Sequence, residues 1–207
     1  MKAELIVARL FSSVLHPLVI PTLGMIILFN LETYVAYSIP LQAKRFILAI
    51  VFINTAIAPV LTVFMLRRMR LIKDVLLNER SERLLPLLLT TLYFFLTYFL
   101  LRRISLPSIV YFYVLGATLL VLLGMVISYR WKISIHMTSM GGFTGLLIVT
   151  SLLLRTNINL LIIVAILLSG VVGSSRIRLN AHTPAQVYAG YLMGVGVMLL
   201  LYFYLRV

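Results

Sequence analysis

The sequence predicts an all-α, polytopic integral-membrane helical bundle of six to seven transmembrane helices, forming a single domain over residues 1–207, and three observations predict it. Hydrophobic residues make up 62% of the chain, with a mean hydropathy of +1.12, well above the roughly 45–50% of soluble proteins. The apolar residues run in stretches of about 17 to 22, the length a helix needs to cross a hydrocarbon core. Between those stretches lie short segments carrying Arg, Lys, Tyr and Trp, residues suited to the headgroup interface.

Taken in order, the candidate spans are residues 10–31, 46–66, 84–101, 107–128, 133–154, 158–174 and 187–205. The first follows MKAELIVARLF without a small-residue cleavage site, so it reads as a span rather than a removable signal. Within it, His16 beside Pro17 and Pro21 marks an irregular helix, and His16 itself reads as a structural histidine satisfied by a neighbouring helix. Asn54 in the second span, and Asn157 and Asn159 before the sixth, read as interhelical glue or capping residues. Only Tyr129, Arg130, Trp131 and Lys132 separate the fourth and fifth spans, which requires a tight interfacial turn. The sixth is the shortest, so a count of six with this segment re-entrant is the alternative. Gly141 with Gly145, and Gly190 with Gly194, form small-xxx-small pairs that let helices approach closely and favour a compact bundle.

Eighteen Lys and Arg stand against five acidic residues, giving a net charge of +13. The basic residues sit in short clusters between apolar runs, where lipid headgroups or a phosphorylated substrate are at hand, so membrane lipids are expected partners and nucleic acid is not. There is no cysteine, which excludes disulfides, thiolate metal sites and cysteine nucleophiles. Three histidines with no short-spaced ligand pair and no accompanying carboxylate fit a zinc site poorly. Counting seven crossings places the N-terminus and the segments 67–83, 129–132 and 174–186 on one face. That face carries 12 of the 18 basic residues, and the positive-inside rule would make it cytoplasmic. Six of the 12, however, are candidate site residues (Lys73, Arg80, Arg83, Lys132, Arg176 and Arg178), and without them the two faces tie. Arg67, Arg68 and Arg70 read as topology signals.

Three separated segments bring unusual polar content to this face. KDVLLNERSERLLP supplies Lys73, Arg80 and Arg83; KISIHMTSMGG puts Ser134 and His136 at a helix beginning; SSRIRLNAHTPAQVYAG carries Arg176, His182 and Gln186. Ionisable groups near membrane depth are costly and by default mark function. Arginines and a lysine suit the charge that spreads over phosphoryl oxygens during transfer. A neutral histidine can attack phosphorus, and a second one can exchange protons with the leaving oxygen and with water.

The third segment, Ser175 and Arg176 followed after five residues by His182, resembles the third signature of the type 2 phosphatidic acid phosphatase superfamily, which reads SR, five residues, H, three residues, D. Lys73 and Arg80 have the spacing of its first signature, K, six residues, RP, with Ser81 in the proline's place. Ile133, Ser134, Ile135 and His136 loosely match its second, PSGH. The three occur in family order over residues 73–190. The resemblance implies a metal-independent membrane lipid phosphatase with no cofactor. Lys73, Arg80, Arg83, Arg176 and Ser134 would bind the substrate phosphate, His182 would be the nucleophile that forms a phosphohistidine, and His136 the acid and base. It implies a lipid phosphate or diphosphate as substrate, with prenyl diphosphate, phosphatidate and phosphatidylglycerol phosphate as the classes offered. The expected location is the bacterial inner membrane. Soluble haloperoxidases of the same superfamily do not fit so apolar a chain.

The sequence departs from the family at Gln186, which stands where the aspartate partner of the nucleophilic histidine would be. A glutamine carbonyl can accept the same hydrogen bond and fix the tautomer, but it brings no charge to a developing imidazolium. Glu79 and Glu82 are the carboxylates able to substitute. Two further readings follow: a degenerate relative that binds a lipid phosphate without turnover, and a small anion transporter. The second would need polar groups continuing through the midplane, and the spans offer few.

Overall fold

A computed structural model describes residues 2–74 and 81–204. It is 82% helical, with no strand among the described residues. Among the described residues, six helices are long and apolar enough to cross a membrane: Leu41–Arg68, Leu84–Arg102, Ser108–Arg130, Ile135–Leu154, Asn159–Arg178 and Pro184–Tyr204. They coincide with the last six expected spans to within a few residues at most ends, and the sixth expected span is a full 20-residue helix rather than a re-entrant segment.

The first expected span needs correction. Residues 10–31 do not form one helix: α1 covers Lys2–Val14, α2 covers Ile20–Asn30, and the backbone between them turns at His16. Pro17 has no N–H to continue the ladder, and its ring pushes the preceding His16 out of helical geometry. The carbonyl of His16 instead accepts from the amides of Val19 and Ile20, at 2.9 and 3.3 Å, starting a new helix.

The chain divides into two compact units, one of Met1–Ile20 with Ile133–Val207 and the other of Pro21–Lys132. In the second, α2 is followed by the short α3 (Tyr34–Ser38), and then by α4 (Leu41–Phe52), which runs through a π turn at Ile53–Ile57 into α5 (Ala58–Arg68). Pro59 accounts for the π turn: it cannot donate to Thr55, and the ladder widens so that Ala58 N–H reaches the carbonyl of Ile53. Thr62 donates to the carbonyl of Ala58 and accepts from the Tyr93 hydroxyl at 2.8 Å, tying α5 to α6 (Leu84–Arg102). The long α7 (Ser108–Arg130) packs along α6, and its buried Tyr113 lies over α2 at Gly24, where any side chain would collide with the ring.

The first unit is built around α8 (Ile135–Leu154), with 67% of its most apolar 18-residue window buried, against 28% for α9 (Asn159–Arg178) and 22% for α10 (Pro184–Tyr204). The outer helices therefore offer Leu160, Leu167, Leu192 and Leu200 to the lipid, while Met140, Leu146 and Leu147 of α8 are enclosed. Glycine is what brings α8 and α10 together. A Cβ at Gly190 would lie 2.8 Å from the carbonyl oxygen of Ser134, and one at Gly145 2.7 Å from Met198 Cβ. At Gly141 and Gly194 it would run into the carbonyl oxygens of Tyr191 and Thr138. The two small-xxx-small pairs of the sequence face one another across a single interface, where backbone contact replaces the hydrophobic gain that lipid does not provide. Several hydroxyls inside the spans are satisfied within their own helix: Thr144, Thr150, Ser169 and Ser175 donate to the carbonyls four residues back at 2.7–3.0 Å.

Candidate functional site

The site is assembled where α9 ends and α8 and α10 begin. α9 closes with a Schellman motif: Asn180 takes the left-handed conformation at φ 51°, its N–H donates to the carbonyl of Ile177 at 2.9 Å, and the N–H of Ala181 donates to that of Arg176 at 3.1 Å. Asparagine tolerates this conformation better than most residues. His182 follows at once, and Thr183 then caps α10, which opens on Pro184. Thr183 and Gln186 form a reciprocal capping box: the Thr183 amide donates to Gln186 Oε1 at 3.1 Å, and the Gln186 amide donates to Thr183 Oγ1 at 3.4 Å. The interval between Arg176 and His182 is thus one helix stop followed by one helix start.

The capping box also fixes the chemistry of His182. Because Oε1 of Gln186 accepts from a backbone amide, it is the amide oxygen that lies 3.2 Å from His182 Nδ1. An oxygen can only accept from the ring, so Nδ1 carries a proton, and in the neutral ring the lone pair is on Nε2. His182 is buried, and Gln186 half-buried.

Across from this turn, the first residues of α8 bring Ser134 and His136. The Ser134 amide donates to the carbonyl of Gln186 at 3.3 Å, joining the two helix starts. His136 Nε2 lies 3.1 Å from the carbonyl oxygen of Ser12 in α1. A carbonyl has no proton to give, so Nε2 carries a proton in either charge state, and in the neutral ring the lone pair is on Nδ1, the reverse of His182. The ring of His16 packs edge-on against that of His136, centroids 5.2 Å apart and planes at 81°. Its Nδ1 accepts from the Leu18 amide at 3.4 Å. Arg176, His16 and His182 all lie close enough to His136 to act on it electrostatically.

Arg176 projects from the last turn of α9, and its Nη1 donates to Ser12 Oγ at 2.9 Å. Among the described residues its buried Nε has no hydrogen-bond partner, and neither do the buried hydroxyls of Ser134 and Thr138. Buried polar atoms left in this condition are uncommon and costly, and a guanidinium with an uncommitted donor is equipped to receive an anion. Arg178, two residues on, instead makes an exposed ion pair with Glu4 at 3.3 Å and is turned out of the cluster.

Of the residues singled out in the sequence, Ser134, His136, Arg176, His182 and Gln186 are brought together within the first unit. Lys73, exposed, and Arg83, half-buried, belong to the second unit, as does half-buried Glu82. Arg80 and Glu79 lie outside the described residues. Two residues that sequence reasoning left out of the site stand within it, Ser12 and His16. The signal for His16 was the helix break at Pro17; for Ser12 there was none, because its partners are more than 100 residues away. The capping box was also missed; the pattern Thr183-Pro184-Ala185-Gln186 was its signal, and it gives Gln186 a role that the resemblance alone does not supply.

Comparison with protein-family models, with curated proteins and with solved structures finds no match to this chain.

Proposed function

We propose that this integral membrane protein is a lipid phosphatase that hydrolyses a lipid phosphate or diphosphate through a phosphohistidine on His182. The observation that carries this reading is the pairing of two histidines that donate through opposite ring nitrogens, His182 from Nδ1 and His136 from Nε2, beside Arg176, whose buried Nε has no partner among the described residues. His182 presents an unprotonated Nε2 for attack on phosphorus, while Gln186 holds Nδ1–H and steadies the ring. Arg176 and the Ser134 hydroxyl receive the phosphoryl oxygens, where charge gathers as the bond to the leaving group loosens. Protonated His136 gives its proton to the departing alkoxide or phosphate. It then takes one from the water that cleaves the phosphorus–nitrogen bond and restores His182. The short polar stretch of type 2 phosphatidic acid phosphatases supports this assignment, since Arg176 and His182 keep the spacing of its third signature. All-helical spans suit the bacterial inner membrane, whereas outer-membrane proteins of bacteria are barrels.

The test is release of inorganic phosphate from a panel of lipid phosphates and diphosphates by detergent-purified protein, without added metal, beside His182→Ala. Release abolished by the substitution is the expected result; release unchanged by it contradicts the proposal.

A second reading has its own observation. Gln186 Oε1 is shared between His182 and the Thr183 amide, so the glutamine is explained by capping alone and stays neutral beside a histidine that must become cationic. A site built this way binds a lipid phosphate without turning it over. Retention of phosphate-bearing lipid with no release across the panel would favour that reading.

A further inference from the structure

Ser12 is bonded to both basic side chains of the site on α8 and α9, and it comes from the broken N-terminal segment that no signature covers. Its carbonyl accepts from His136 Nε2 at 3.1 Å, and its hydroxyl accepts from Arg176 Nη1 at 2.9 Å. Ser12 is itself buried, on a stripe with Ala8 of α1 and Leu15 just past its end, so these two bonds are sheltered from competing water. A charge-assisted bond of this kind is directional, and it leaves Arg176 with Nε uncommitted. The stripe is anchored further by Ser139, whose hydroxyl donates to the carbonyl of Pro17 at 3.4 Å, and by the edge-on packing of His16 on His136.

We propose that Ser12 is a positioning residue of the phosphate site: its hydroxyl sets Arg176 for the anion, and its carbonyl commits His136 Nε2, so that His136 exchanges protons through Nδ1. The proposal rests on the reading of this cluster as a phosphate site. Its chemical logic is that a ring nitrogen bonded to a carbonyl keeps its proton in both charge states, and only the other nitrogen can gain and lose one. The step then balances at one atom: the proton leaves Nδ1 for the departing oxygen and returns to Nδ1 from the attacking water. The break at Pro17 has a purpose in this account: Ser12 lies in the last turns of α1, and the turn that follows lets His16 pack on His136 and the Pro17 carbonyl meet Ser139.

The experiment combines two measurements on the full chain in detergent. The first is orthovanadate affinity for the wild type, Ser12→Ala, Arg176→Lys and the double variant. Ser12→Ala is expected to weaken binding about 10-fold. In the Arg176→Lys background the same change should cost less than about twofold, because the partner is already lost. Equal losses in both backgrounds would show that Ser12 acts through general packing and would overturn the proposal. The second is the histidine tautomer by long-range proton–nitrogen NMR on protein labelled at its three histidines, assigned with His→Gln variants. His136 is expected as the Nε2–H form and His182 as the Nδ1–H form; His136 found as Nδ1–H overturns the proposal. A wild-type chain that binds no orthovanadate contradicts the phosphate reading and the Arg176 part with it, while the spectrum still decides the His136 part. Where release is detectable, replacing the His136 ring by Nδ1-methylhistidine should abolish it and spare orthovanadate binding. Full release from that protein would also overturn the proposal.

Discussion

Two histidines in one site are chemically equivalent until their partners make them different. Here a backbone carbonyl fixes one tautomer and a glutamine oxygen the other, which separates the two roles that double-displacement hydrolysis requires. Gln186 is the residue whose meaning changed most between sequence and structure. The spacing from His182 marks it as the substitute for an aspartate, but spacing could not reveal that its oxygen also serves Thr183. This leads to a prediction: Gln186→Glu keeps the reach and the capping box and adds the missing charge, so phosphate release should rise, by up to about 10⁴-fold if the charge is the whole deficit. Gln186→Asp, one methylene shorter, should keep or raise activity as well. Initial rates on one lipid phosphate decide it; a loss in both variants would mean that this position does not act through the nucleophile. Ser12 and His16 were beyond the reach of sequence because they join the site by folding across the chain, and a serine in an apolar run has no local signature.

At the scale of elements, the site is a product of helix ends. Asn180 stops α9 and Thr183 starts α10, and this stop and start determine how far His182 stands from Arg176. The glycine pairs then set how near the start of α10 comes to that of α8, with the Ser134 amide within 3.3 Å of the Gln186 carbonyl. These pairs were legible, since spacing of four puts both glycines on one helix face. Their mutual pairing was not, because a pattern names a face but not its partner. Gly194→Ala places a methyl against the Thr138 carbonyl and the Gly142 amide, backbone atoms that cannot step aside. It should lower stability by roughly 1–3 kcal/mol and reduce phosphate release by spreading the two helix starts. Gly196→Ala, two residues along with nothing within 4 Å, should be neutral or stabilise by up to about 1 kcal/mol through helix propensity. Thermal unfolding in detergent distinguishes them, and equal melting temperatures would refute the close-packing account.

For the whole molecule, the membrane character and six of the spans followed from length and apolarity alone, because a bilayer imposes the same requirement on every crossing helix. The first span misled for a definite reason. Hydropathy is blind to Pro17, whose effect is on the backbone ladder, and the segment splits into α1 and α2 at His16. That failure of the helical pattern lies beside the most polar cluster of the first unit, in keeping with the tendency of local rules to break at functional positions. The arrangement of helices would supply the solvent for the proposed chemistry as well: a half-buried arginine and two histidines at the ends of apolar helices would work where water competes weakly. The central claim is that His182 becomes phosphorylated, and the most direct measurement is to quench the protein within a turnover of ³²P-labelled lipid phosphate and analyse the chain. The account predicts a label that is stable to alkali, lost in acid, absent from His182→Ala, and accumulated in His136→Ala, where the second displacement lacks its base. Phosphate release with no label on the chain, or a label that persists in His182→Ala, would contradict it.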